Sequence, residues 1–130
     1  MRCNPTITDC LEVRGAPWSC TNGFYVRNDS LFPQNTPHNC NKPLYHHVEA
    51  AVFIYNKHIG GRRYSIWYLS TCLCKGCQHQ VISTYSGDVI GPEDVTVWRQ
   101  YKRPVNLTII KVNHTFCGKL KYALLWSTTW

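Results

Sequence analysis

Residues 70–78 read STCLCKGCQ, and the fold turns on what the cysteines of this stretch do. Cys72, Cys74 and Cys77 lie close together, and only Cys117 follows them. Three chemistries suit such spacing. A zinc site would draw thiolates from Cys72, Cys74 and Cys77, with His79, His46, His47 or Cys117 completing a tetrahedron. A zinc ribbon, however, needs a second closely spaced ligand pair, and the later cysteine is single. A redox Cys-x-x-Cys opens a helix in a βαβ unit. Cys74-Lys75-Gly76-Cys77 runs instead into QHQVISTYS, which has strand character. The remaining chemistry is a disulfide framework, and the rest of the chain favours it.

The 130 residues make one domain. They carry eight cysteines, at positions 3, 10, 20, 40, 72, 74, 77 and 117 (Cys3, Cys10, Cys20, Cys40, Cys72, Cys74, Cys77 and Cys117). A dense, even set of thiols points to an oxidising compartment. Three acceptor sequons point the same way, at Asn28-Asp29-Ser30, Asn106-Leu107-Thr108 and Asn113-His114-Thr115. Asn28, Asn106 and Asn113 are therefore candidate glycosylation sites, while Asn4 is excluded by Pro5. The opening MRCNPTITDC lacks the apolar run of a signal peptide, so the chain reads as the mature form of a secreted protein. No stretch approaches the roughly 20 apolar residues of a membrane span.

Along the chain two stretches differ. Residues 1–48 hold Pro5, Pro17, Pro33, Pro37 and Pro43, many Asn and Asp, and four of the cysteines. They read as an extended, disulfide-tethered arm without the apolar content to fold alone. Residues 49–130 read as a β core. AAVFIYN (50–56), YSIWYLSTCL (64–73), HQVISTYS (79–86), DVTVWRQY (94–101), VNLTIIKVNHTFC (105–117) and LKYALLW (120–126) are strand candidates separated by Gly-containing turns. No amphipathic helix stands out beyond a turn near 46–52. The fold class expected is all-β, built of small antiparallel strand pairs, with the arm attached.

Strand alternation puts Cys72 and Cys74 on one face and Cys77 on the other unless Gly76 forms a bulge. One of the three then bridges to Cys117 on a neighbouring strand, and others reach the arm. No Gly-rich phosphate loop, nucleophile elbow or paired-histidine metal motif occurs. The seven acids are not paired for general acid–base work. His46, His47, His58 and His79 read as surface or partly packed imidazoles. The chain thus reads as a non-enzyme without a cofactor.

The formal charge is +7, concentrated after Glu93 and Asp94 in Arg99, Lys102, Arg103, Lys111, Lys119 and Lys121. Such a face is either plain solvated surface or a means of steering towards an acidic partner, a receptor surface or sulfated glycans. No nucleic-acid-binding module is recognisable.

RRYSIWYLSTCLCKGC (62–77) followed by VTVWRQYKRP (95–104) resembles the interleukin-17 cytokines. Arg63-Tyr64, Trp67, the Cys72–Cys77 box, and Val95, Val97, Trp98, Arg99, Arg103 and Pro104 occupy that family's places over roughly residues 62–117. The resemblance implies a cystine-knot-like disulfide core, a homodimer with a crossing N-terminal arm, and binding to a cell-surface receptor ectodomain. It also implies a Cys77–Cys117 bond, with Cys72–Cys117 as the alternative, because Cys117 stands alone where the family has two cysteines. Cys74 is left to tie the arm or a second chain.

The expected function is a secreted, cytokine-like, homodimeric signalling ligand. Its receptor-contact candidates are Trp98, Arg99, Tyr101, Lys102, Arg103, Trp126 and Trp130, since aromatic residues and Arg are the usual interface anchors. Two alternatives remain: a disulfide-rich viral immune-evasion or toxin-like module that sequesters a host protein, and a zinc-binding domain.

Overall fold

The computed structural model describes residues 8–17, 19–28, 43–58, 65–70, 79–83, 91–100 and 102–125. They form nine strands: β1 (Cys10–Arg14), β2 (Gly23–Arg27), β3 (Tyr45–His47), β4 (Phe53–His58), β5 (Ser65–Ser70), β6 (His79–Ser83), β7 (Trp98–Gln100), β8 (Arg103–Val105) and β9 (Thr108–Lys111). Helix α1 (His114–Leu125) follows. The strands make one antiparallel sheet in the order β8-β7-β6-β5-β4-β3-β2-β1-β9.

That order dictates the shape. β8 and β9 are the two edges of the sheet, yet only Asn106 and Leu107 separate them in sequence. Laid flat, nine strands would put their outer members roughly 38 Å apart at about 4.8 Å per step. The chain from Val105 to Thr108 can reach at most about 11 Å. The sheet therefore curls into a half-barrel, its two rims tied by this short link.

Residues opposite one another in an antiparallel pair share a face, and the register sorts the core accordingly. Leu11 lies opposite Tyr25 and Tyr25 opposite His47. Tyr45, Ile54 and Leu69 align across β3, β4 and β5, and Asn56 aligns with Trp67. Val13 aligns with Ile109. All of these are buried, and with Val52 and Trp98 the apolar ones fill the concave side as the inner core. Aromatic and β-branched side chains at period two form strands because they pack well on a pleated, half-buried surface.

A smaller outer core sits on the other face. Cys10 and Val26 are opposite each other on β1 and β2. Over them α1 lays Cys117, Leu120 and Leu124, the i, i+3, i+7 stripe of a helix. The rings of Phe24 and Phe116 meet edge to face at 5.0 Å. A disulfide joins Cys10 to Cys117. The helix starts at Asn113, whose Oδ1 accepts the Phe116 N–H at 2.8 Å, as an N-cap does.

Four expectations change. Residues 114–125 are helical, although 105–117 and 120–126 read as strands. The cap at Asn113 and the Cys117–Leu120–Leu124 stripe outweigh the β-like composition. The described part of residues 1–48 is no separate arm, because β1, β2 and β3 are consecutive members of the sheet. Leu11, Val13, Tyr25, Val26, Leu44 and Tyr45 give it the buried side chains that its prolines and asparagines mask in the composition. The segment near 46–52 ends a strand and bends instead of making a helical turn. Finally, Cys117 bonds Cys10, so it bonds neither Cys77 nor Cys72. β9 returns beside β1 and carries Cys117 to within 5.6 Å of Cys10, Cα to Cα, a separation suited to a disulfide.

Candidate binding cleft

The cleft lies at the rim where the two edges of the sheet meet. Its volume is about 830 Å³, and it is lined by Gly15, Pro17, Gln100, Lys102, Arg103, Pro104, Val105 and Asn106. One wall is the turn after β1. Gly15 takes φ +78°, which an L side chain rarely adopts, and this turns the chain sharply. Asn22 then pins the turn: its Oδ1 accepts the Ala16 N–H at 2.8 Å and its Nδ2 donates to the Ala16 carbonyl at 3.3 Å.

The other wall is the β7–β8 hairpin and the link to β9. Trp98 lies opposite Val105, Arg99 opposite Pro104 and Gln100 opposite Arg103. Trp98 is 2% exposed and anchors the hairpin in the inner core. Gln100, Arg103 and Val105 share its face but lie at the rim, while Arg99 projects from the opposite face. Two exposed cations, Lys102 and Arg103, thus line the cleft with the amides of Gln100 and Asn106, and none of the described lining residues is acidic. The walls come close at Gly15, where an added Cβ would lie 3.4 Å from the Asn106 carbonyl oxygen.

A guanidinium fork, an ammonium group and two amides suit an anion. Arg can hold a carboxylate or sulfate with two parallel N–H bonds, and Lys adds a point charge. The prolines and Val105 add apolar contact.

Deeper in the molecule, His47 is 6% exposed and both ring nitrogens are engaged. Nδ1 accepts the Glu49 and Ala50 N–H groups at 2.9 and 3.2 Å. Nε2 therefore carries the proton and donates to the Asn22 carbonyl at 2.7 Å. Gly23 makes room for this ring: it has φ +121°, and a Cβ there would sit 3.0 Å from Nε2. His46 stacks on Phe53 at 4.6 Å, and burial, then the neighbouring His47, push its pKa below the ordinary value.

The receptor-contact candidates scatter. Lys102 and Arg103 meet in the cleft, and Arg99 is exposed on the other face of the same hairpin. Trp98 is a core residue, because alternation from the exposed Arg99 turns it inward. Tyr101, Trp126 and Trp130 lie outside the described residues, as do Cys3, Cys40, Cys72, Cys74 and Cys77. Cys20 is an exposed free thiol.

The sequon asparagines occupy three settings. Asn106 is exposed on the cleft rim, Asn113 is exposed at the helix cap, and Asn28 is half-buried with its N–H donated to the Leu44 carbonyl at 2.8 Å. The zinc arrangement loses two suggested ligands, since Cys117 is bonded to Cys10 and both His47 nitrogens are engaged. Among the described residues no group of three or more His, Cys, Asp or Glu is placed to hold a metal. Nor is any helix among them long and apolar enough to cross a membrane.

The cleft residues that sequence reasoning missed are Gly15, Pro17, Gln100, Pro104 and Val105. The Gly-Ala-Pro turn directly after the alternating Leu11-Glu12-Val13-Arg14 was the available signal for the first wall. Comparison of the chain with protein families, with curated proteins and with solved structures finds no match.

Proposed function

We propose that this chain is a secreted, non-catalytic binding protein that takes an anionic group of a cell-surface receptor ectodomain into the Lys102–Arg103 cleft. The observation that carries the reading is the pairing of two exposed cations with two amides in a cleft whose described lining residues include no acid. The Cys10–Cys117 bond and the exposed sequons at Asn106 and Asn113 suit an extracellular protein. Signalling of the interleukin-17 kind, as a homodimer, is the form of receptor engagement that the Cys72–Cys77 box and its flanks suggest.

The test uses two chemical probes, immobilised poly-glutamate for carboxylates and immobilised heparin for sulfates. Retention at about 0.15 M salt, where exposed charges are screened beyond about 8 Å, is compared between the wild-type chain and K102A/R103A, both produced without N-glycans. Retention on poly-glutamate that the double variant loses supports an acidic protein partner. Retention on heparin alone redirects the reading to sulfated glycans. Retention on neither, or equal retention of both proteins, overturns it.

A further inference from the structure

Two of the three sequons sit at points whose geometry is fully described, and they differ in what a glycan would cover. Asn113 caps α1 through Oδ1, beside the outer core. An N-glycan is carried on Nδ2, so capping and glycosylation there do not compete, and the sugar would lie beside the helix. Asn106 is different. It is exposed, it lines the cleft beside Arg103, and its backbone is held against Gly15 of the facing wall. It also belongs to the two-residue link that ties the sheet's rims, so it has little freedom to swing aside. Thr108, which completes the sequon, is exposed on the edge strand β9.

We propose that an N-linked glycan on Asn106 closes the cleft, so that occupancy of this one sequon decides whether the Lys102–Arg103 pair can reach an anion. The inference rests on the binding role proposed above and adds a regulator to it. A lipid pyrophosphate-linked oligosaccharide is the donor. A bond forms between Asn106 Nδ2 and C1 of the sugar as the bond from C1 to the pyrophosphate oxygen breaks. The lipid pyrophosphate leaves, and one amide proton is lost to solvent. A bulky, hydrated oligosaccharide rooted in the lining of an 830 Å³ cleft excludes a macromolecular partner from it. The two amide donors also become one at Asn106, since Nδ2 keeps a single N–H.

The experiment compares the chain secreted from glycosylating cells as wild type, T108V, T115V and K102A/R103A/T108V. T108V removes the sequon while leaving Asn106 in the cleft, and valine suits an exposed strand position. T115V removes the Asn113 sequon as a control. Mass spectrometry of the peptides reads occupancy, and binding to immobilised heparin and poly-glutamate reads the cleft. Expected results are a glycan on Asn106 of the wild type, an apparent affinity at least about tenfold higher for T108V, and no change for T115V. An unmodified Asn106, or equal binding by wild type and T108V, overturns the proposal.

The triple variant separates the two possible failures. If it binds as T108V does, the cations do not form the binding site and the proposed function fails. If it binds more weakly than T108V while wild type equals T108V, the cleft binds and only the glycan gate is wrong.

Discussion

The molecule holds itself together in two unlike ways on the two faces of one sheet. Among the described residues, the inner core gathers eleven buried apolar residues from β1, β2, β3, β4, β5, β7, β9 and two turns, whereas the outer core under α1 gathers three, Cys10, Val26 and Cys117. Full burial of a large apolar side chain contributes about 1.5–3 kcal/mol, so Trp67, Leu69 and Ile54 and their neighbours stabilise the concave face strongly by burial. The helix has no such reserve. Its exposed ion pair, Lys121 to Asp9 at 2.8 Å, is of the solvent-screened kind that adds at most about 1 kcal/mol. Among the described residues, the Cys10–Cys117 disulfide sits on the face with the fewer buried apolar side chains.

The sharpest way to break this contrast is to cut the cross-link. Replacing Cys10 and Cys117 by Ala frees a loop of 107 residues and should lower the unfolding free energy by about 4–5 kcal/mol on a loop-entropy basis. The asymmetry should show in hydrogen exchange, with α1 losing protection first while β4 and β5 keep theirs. Uniform loss across both would mean that the two cores are one cooperative unit.

A change confined to the inner side should do the reverse. Gly23→Ala forces a Cβ towards His47 and a side chain onto a φ of +121°, at a cost of about 1–3 kcal/mol. The His47 to Asn22 bond should be lost while the disulfide remains oxidised, and denaturant unfolding with thiol titration checks both.

The smallest effect is electrostatic and belongs to the outer face of β3. Burial and His47 hold the pKa of His46 below its ordinary value, so the folded chain refuses a proton that the unfolded chain accepts. The sign follows from linkage: stability is full above about pH 6.5 and declines as pH falls below it. His46→Phe keeps the stacking on Phe53 and should flatten this slope of the denaturation midpoint. An unchanged slope would assign it to other groups.

Much of the sheet is legible in the chain, because the apolar run of β4, the aromatic and β-branched residues of β5 and the alternation in β6 mark strands without help from tertiary context. β1 alternates in Leu11-Glu12-Val13 and β2 carries the apolar run Phe24-Tyr25-Val26, but prolines and asparagines around them pull the eye towards a loop. The helix is harder. Leu120, Leu124 and Cys117 fall on a helical stripe, yet His114, Thr115, Phe116 and Tyr122 are middling helix formers, so packing on β1 and β2 decides the outcome. Lys102 and Arg103 are visible as a basic cluster. Their cleft is not, since Gly15 and Pro17 reach it only through the curl of the sheet. Cys10 and Cys117 could not be matched from spacing, because their pairing depends on β9 returning beside β1.

That return has a consequence for biosynthesis. Leu11 on β1 pairs in register with Lys111 on β9, one hundred residues later. At 5–20 residues per second, the ribosome takes roughly 5–20 s to supply the second after the first. For that interval β1 is an open edge, and Cys10 is a thiol whose final partner has not yet been made. Cys20, Cys40, Cys72, Cys74 and Cys77 all become available to it earlier than Cys117 does. Any bond Cys10 makes with one of them must be undone by thiol–disulfide exchange before the native one can form. The rate of translation and the supply of isomerase therefore enter the yield of this fold alongside its sequence.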